Sequence, residues 1–136
     1  MSSVKRFEDL KVWQRARSLV KEVYELSNGE PFSKDFGLKN QFRRAAVSVM
    51  NNISEGFESR TVNGFINYLG LAKASCGEVR SMLYVALDQK YISKIDFDKR
   101  IADCRVISKQ ISRFIKYLEN YDSNDRVKEV RIDYEA

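Results

Sequence analysis

Apolar residues recur at spacings of three and four in four successive runs that together cover most of the chain. That period describes one face of an α-helix, whereas a strand would alternate every second residue. The first run is Val12, Ala16, Leu19, Val23 and Leu26, widened by Trp13 and Val20. The second is Leu38, Phe42, Ala45, Val49 and Ile53, ending near Gly56. The third is Phe65, Leu69, Ala72, Cys76, Val79, Leu83 and Ala86, with a heptad-like period. The fourth is Phe97, Ile101, Cys104, Ser108, Ile111, Ile115 and Leu118. With one proline and six glycines, little interrupts them.

The breaks between runs carry helix signals. Glu8 and Asp9 suit the positive end of the first helix dipole. Asn28-Gly29 followed by Pro31 ends it, through a left-handed cap and a residue that cannot continue the helix. Ser33 is the expected N-cap of the second helix and Thr61 that of the third. Ser93-Lys94-Ile95-Asp96 opens the fourth as a capping box with Asp in place of Glu. The predicted helices span about 8–28, 34–56, 62–90 and 94–120. Short connections make sequential helices antiparallel. The expected fold is all-α, an antiparallel up-and-down four-helix bundle over residues 1–120. A polar tail, 121–136, is expected to fray.

Charge narrows the partners. Residues 1–120 hold 21 Lys/Arg against 14 Asp/Glu, a net of +7, and residues 121–136 hold 3 against 5, a net of −2. A basic body suits an anionic partner, RNA or DNA first. Met1 to Lys11 lacks the apolar core of a signal peptide, and no apolar run is long enough to span a bilayer, so a cytoplasmic location and no membrane partner are expected. Cys76 and Cys104, with no CxxC spacing, read as two reduced core thiols.

Catalytic chemistry finds little to work with. The chain has no histidine, which removes the commonest general base, the commonest metal ligand and every Ser-His or Cys-His arrangement. A di-iron carboxylate bundle needs Glu-x-x-His motifs, and no Walker or GxGxxG loop is present. Glu22 with Glu25 reads as solvated surface. The expectation is a non-enzyme with no catalytic residues, no cofactor and no metal.

Three non-catalytic features stand out. Gln41, Arg43, Arg44, Asn51, Asn52, Glu55 and Glu78 are polar residues on charge-poor helices, read either as ion pairs that fix helix or subunit packing or as a binding surface. Arg44 and Glu78 are isolated charges, each expected to have a partner. Gly70, Ala74, Gly77 and Ser81 form a small-residue ridge on helix three, suited to close approach by another helix of this chain or of another subunit. Leu71, Ala74 and Val85 lie off the inner seam, which points to an oligomer. On helix four Arg105, Lys109, Arg113 and Lys116 follow spacings of four, four and three along one face, and the first three have no acidic residue three or four positions away inside the helix. That stripe reads as a solvated face or as a phosphate-binding track.

The ordered motifs carry a family resemblance. Phe7-Glu8-Asp9-Leu10, Val12-Trp13-Gln14, Gly37-Leu38 with Gln41, Arg43-Arg44-Ala45-Ala46-Val47-Ser48, and Asn52-Ile53-Ser54-Glu55-Gly56 are followed by Phe65, Leu69, Ala72, Ser75 and Glu78. Over roughly residues 7 to 95 this resembles the four-helix bundle proteins encoded in intervening sequences of bacterial 23S rRNA genes, the S23 ribosomal protein family. Accessory variability proteins of diversity-generating retroelements are related to it. The chain departs at Glu58-Ser59, where the family usually has Gly-Arg, keeping only Arg60; at Gly64, a usual Glu; and at Ala74, a common Gly. The resemblance implies an antiparallel bundle that assembles as a homopentamer. It also implies a possible RNA, DNA or nucleic-acid-enzyme partner. The expected function is a non-enzymatic oligomer associated with nucleic acid through its basic surface. The alternative is a protein-interaction scaffold with no nucleic-acid contact.

Overall fold

The computed structural model describes residues 4–130 and 132. Four helices, α1 (Lys11–Asn28), α2 (Phe36–Phe57), α3 (Val62–Asp88) and α4 (Lys94–Leu118), account for most of them. Each packs on its sequence neighbour, and α1 closes the ring against α4, giving the up-and-down four-helix bundle. No strand occurs among the described residues beyond one isolated bridge between Thr61 and Arg126.

The apolar stripes make the core. Val12, Ala16, Leu19 and Val23 of α1, Phe42, Val49 and Ile53 of α2, and all seven seam residues of α3 are buried. On α4 the seam runs Phe97, Ile101, Cys104, Ile107, Ile111, Phe114 and Leu118. Ser108 and Ile115, expected in it, sit half-buried at its edge, because Ile107 and Phe114 offer larger apolar surface one residue away. Phe65 and Phe114 meet edge to face at 5.1 Å in the core, near the α2–α3 turn.

The helix ends follow the sequence at some positions and depart from it at others. Thr61 Oγ1 accepts from Gly64 N at 3.1 Å and Ser93 Oγ from Asp96 N at 3.0 Å, as N-caps should. The cap of α2 is Asp35, whose carboxylate accepts from Leu38 N at 3.2 Å and from the Tyr91 hydroxyl at 2.9 Å. Ser33 instead lies in a 3-10 turn, Phe32–Lys34, that buries Phe32. Glu8 and Asp9 also occupy a 3-10 turn, so α1 begins later, at Lys11. After Asn28 the backbone of Gly29 is extended (φ −81°, ψ 149°) instead of left-handed. The left-handed residue is Lys90 (φ 62°) after α3, where Tyr91 N reaches back to Ala86 O at 2.8 Å.

The segment after α4 is not frayed. Val62 N donates to Asp125 O at 2.8 Å and Asn63 N to Ser123 O at 3.0 Å. These are the first two amides of α3, which no intrahelical carbonyl can satisfy. Val127 N donates to Arg60 O at 3.1 Å, and Val127, Val130 and Ile132 are buried. Val4 N then pairs with Ile132 O at 2.7 Å, tying the two ends together. The chain returns because it supplies the acceptors α3 lacks and buries three apolar side chains. Residue 131 and residues 133–136 of the expected tail lie outside the described residues.

Candidate nucleic-acid interface

The outward face of α4 is set by its seam. With Ile107, Ile111, Phe114 and Leu118 turned inward, the helical period turns Arg105, Lys109, Arg113 and Lys116 outward, and all four are exposed. Among the described residues none of the four forms an ion pair. Residues three and four apart on a helix lie about 5–6 Å apart at Cβ, which makes a row of like charge along the C-terminal half of the helix. On the neighbouring α3 the exposed Lys73 and Arg80 face the same groove between α3 and α4, lined also by Gly70, Ala74, Gly77 and Ser108. The arrangement is chemically suited to a polyanion: several cations, no competing carboxylate in the row, and no fixed pocket.

The polar residues of α2 divide into three environments. Arg43 lies over the Tyr24 ring at 4.4 Å and donates to Ser27 Oγ at 2.8 Å and to Tyr24 O at 3.4 Å. It therefore locks α2 to α1. Toward α3, Asn52 Nδ2 donates to Ser48 O at 2.8 Å and Ser48 Oγ at 2.9 Å, the Ser48 and Ser75 hydroxyls share a 2.8 Å hydrogen bond, and Gln41 Nε2 donates to Glu78 Oε2 at 3.3 Å. Outward, Arg44, Asn51 and Glu55 join Tyr24, Arg43 and Asn52 in lining one shallow open groove. Glu78 thus has a partner, but Arg44 has none among the described residues, because it leaves α2 on the outer face while Glu78 meets the side turned to α3. Arg60, in the α2–α3 turn, is exposed at the mouth of a cavity of about 480 Å³ at the bundle end, with Lys5, Arg126 and Lys128.

Among the described residues the small-residue ridge meets no other helix. A Cβ on Gly70 or Gly77 would find nothing within 4 Å, and Ala74 and Ser81 are exposed. The glycine that does admit a close neighbour is Gly56, where a Cβ would lie 2.7 Å from the Phe65 ring and 2.9 Å from Tyr68 Cβ. Leu71 (55% exposed) and Val85 (42%) stand on the outer face of α3, as the apolar excess of that helix predicts.

One ion pair was invisible in the sequence. Arg100, 4% exposed on α4, reaches Glu22 of α1 at 2.6 Å and Asp103 at 3.6 Å, while its Nε has no partner among the described groups. Glu22, read as solvated surface, is the acid that permits a buried guanidinium at the α1–α4 seam. Its signal is weak: Arg100 stands beside Ile101, at the margin of the stripe. Among the described residues no group of three or more His, Cys, Asp and Glu is placed to hold a metal ion, and no helix is long and apolar enough to cross a membrane.

Comparison with known proteins bears on the whole bundle. No curated protein matches the chain. Among solved structures, a protein of unknown function from the S23 ribosomal protein family of Bacteroides thetaiotaomicron superposes with a TM-score of 0.71 at 23% identity, covering 77% of this chain and 98% of that one. At that identity the likeness establishes the shared fold. The sequence model of the 23S rRNA-intervening sequence protein family matches residues 8–113, which take in α1, α2, α3 and α4 as far as Arg113. The chain belongs to the 23S rRNA-intervening sequence protein family.

Proposed function

We propose that this protein is a non-catalytic, cytoplasmic nucleic-acid-binding protein that works as a homo-oligomer, with the outer face of α4 as its phosphate track. The observation that carries this reading is the exposed row Arg105, Lys109, Arg113 and Lys116, free of ion pairs among the described residues. Such a row contacts phosphates without reading bases, so binding is tolerant of sequence and sensitive to salt. The family description, which names an intervening sequence of 23S rRNA, agrees with an RNA or DNA partner. Oligomer formation is supported by the outer α3 residues Leu71 and Val85, and a pentamer is the count the family resemblance implies. Repeating a weak track around a ring multiplies its effect through effective concentration.

A second reading, a scaffold for another protein such as a nucleic-acid enzyme, is favoured by those same exposed apolar side chains. Freshly purified protein separates the two. The nucleic-acid reading predicts bound polynucleotide at low salt, seen as a raised 260/280 absorbance ratio that nuclease removes. Protein that emerges free of nucleic acid and fails to bind added RNA or DNA at low salt supports the scaffold. Light scattering coupled to size exclusion tests the assembly, and a mass near that of the 15.8 kDa single chain contradicts it.

A further inference from the structure

We infer that Cys76 and Cys104 form a thiol-modification site, a buried dithiol that hydrogen peroxide converts to a disulfide bridging α3 and α4, reached through the groove left open by Gly70 and Gly77. The residues are 28 apart in sequence, yet the bundle brings them into contact across α3 and α4: the Cys76 thiol donates to the carbonyl oxygen of Cys104 at 3.3 Å. Both are free and 1% exposed. Both residues border the α3–α4 groove, whose volume is about 360 Å³, so a small displacement of the groove wall brings an oxidant held there to the sulfurs. A water occupies about 30 Å³ of liquid, and peroxide is little larger, so the groove admits it. No atom within 4 Å would oppose a Cβ at Gly70 or Gly77, so the two glycines leave the groove open along α3.

The surroundings divide the roles of the sulfurs. The hydrogen bond from Cys104 and the nearby Arg80 guanidinium lower the pKa of Cys76, whereas the hydrogen bond to Cys76 and burial raise that of Cys104. Lys73 and Arg80, three residues before and four residues after Cys76 on α3, line the same groove, and their positive charge favours the Cys76 thiolate as the nucleophile. Its thiolate attacks one peroxide oxygen, the O–O bond breaks, and hydroxide leaves and is protonated to water, giving the sulfenic acid. The Cys104 sulfur then attacks Cys76 sulfur, the S–O bond breaks, and a second water leaves. Two thiols lose two electrons in total, and one peroxide becomes two waters.

The test is intact-mass analysis of the wild-type protein exposed to hydrogen peroxide under native conditions, quenched by alkylation after denaturation. The expected product has lost about 2 Da, takes up no alkylating agent, and regains both thiols with dithiothreitol. In Cys104→Ser, with Cys104→Ala in reserve for folding, Cys76 should stop at the sulfenic acid and be trapped by dimedone. Gly77→Leu, which fills the groove, should slow disulfide formation at least tenfold while the denatured chain reacts at the wild-type rate. Two outcomes overturn the inference: both thiols remain fully alkylatable after peroxide has oxidised free glutathione in the same tube, or the thiols gain oxygen independently with no loss of 2 Da.

Discussion

Helix α3 meets its two neighbours in opposite ways. Against α2 it is tight: Gly56 lets Phe65 and Tyr68 press on the α2 backbone, and Ser48–Ser75 and Gln41–Glu78 bond across the seam. Against α4 the core residues still pack, but outside them Gly70 and Gly77 border an open groove. The same residue type therefore serves opposite ends. A helical glycine costs about 1 kcal/mol relative to alanine. At Gly56 that cost is offset by a close aromatic contact, while at Gly70 and Gly77 nothing within the chain offsets it.

Leucine placed at the two kinds of glycine gives the widest separation. Gly56→Leu should force Phe65 from the core and lower the unfolding free energy by about 1–3 kcal/mol or more. Gly77→Leu should not lower it and should raise it by up to about 1 kcal/mol, because helix propensity is gained at an open position. Chemical denaturation measures both, and equal losses would break the comparison. The α1–α4 seam supplies an intermediate case. Glu22→Ala leaves buried Arg100 with only Asp103 at 3.6 Å, and since the Glu22 side chain is 38% exposed, the expected loss is about 1–2 kcal/mol. A loss within about 0.3 kcal/mol of zero would mean that water already serves Arg100.

Smaller changes sharpen the contrast. Ser75→Ala removes the hydroxyl bonded to Ser48 but leaves Ser48 with Asn52, so a loss of about 1 kcal/mol is expected. An unchanged denaturation midpoint would show that the α2–α3 seam draws nothing from this bond. Gly77→Ala isolates the backbone effect and should raise stability by up to about 1 kcal/mol, because helix propensity is gained and no contact opposes the methyl. A loss instead would place another surface against that glycine, with the partner subunit the first candidate.

These glycines also show where sequence reading stops. The helical period is local information, and it located the buried stripes of α1, α2 and α3 residue for residue at most positions. The caps Thr61 and Ser93 were legible for the same reason, since each bonds an amide three residues away. What a glycine faces is not local. Gly70 and Gly77 had the spacing of a contact ridge but meet open space, and Gly56 passed for a simple helix stop although the tight contact is there. The return of the chain after α4 was hidden similarly. Val127, Val130 and Ile132 follow neither a helical nor a strand period, and the partners that hold the segment lie sixty or more residues away: Arg60 for Val127, Val62 for Asp125, Asn63 for Ser123 and Val4 for Ile132. The basic row on α4 was legible because charge and period are both written in one helix, but its lack of ion pairs required the neighbouring helices.

The central claim is that the row on α4 binds phosphates. It is tested most directly by the salt dependence of nucleic-acid affinity for wild type and for the combined variant Arg105→Gln, Lys109→Gln and Arg113→Gln. The account predicts weaker binding by similar factors for all sequences. It also predicts a slope of log affinity against log salt that is shallower by up to about 0.9 per lost duplex contact, or about 0.7 for a single strand. Circular dichroism and oligomer mass should not change, since all three side chains face water. A folded variant that binds with the wild-type affinity and the wild-type slope would contradict the account.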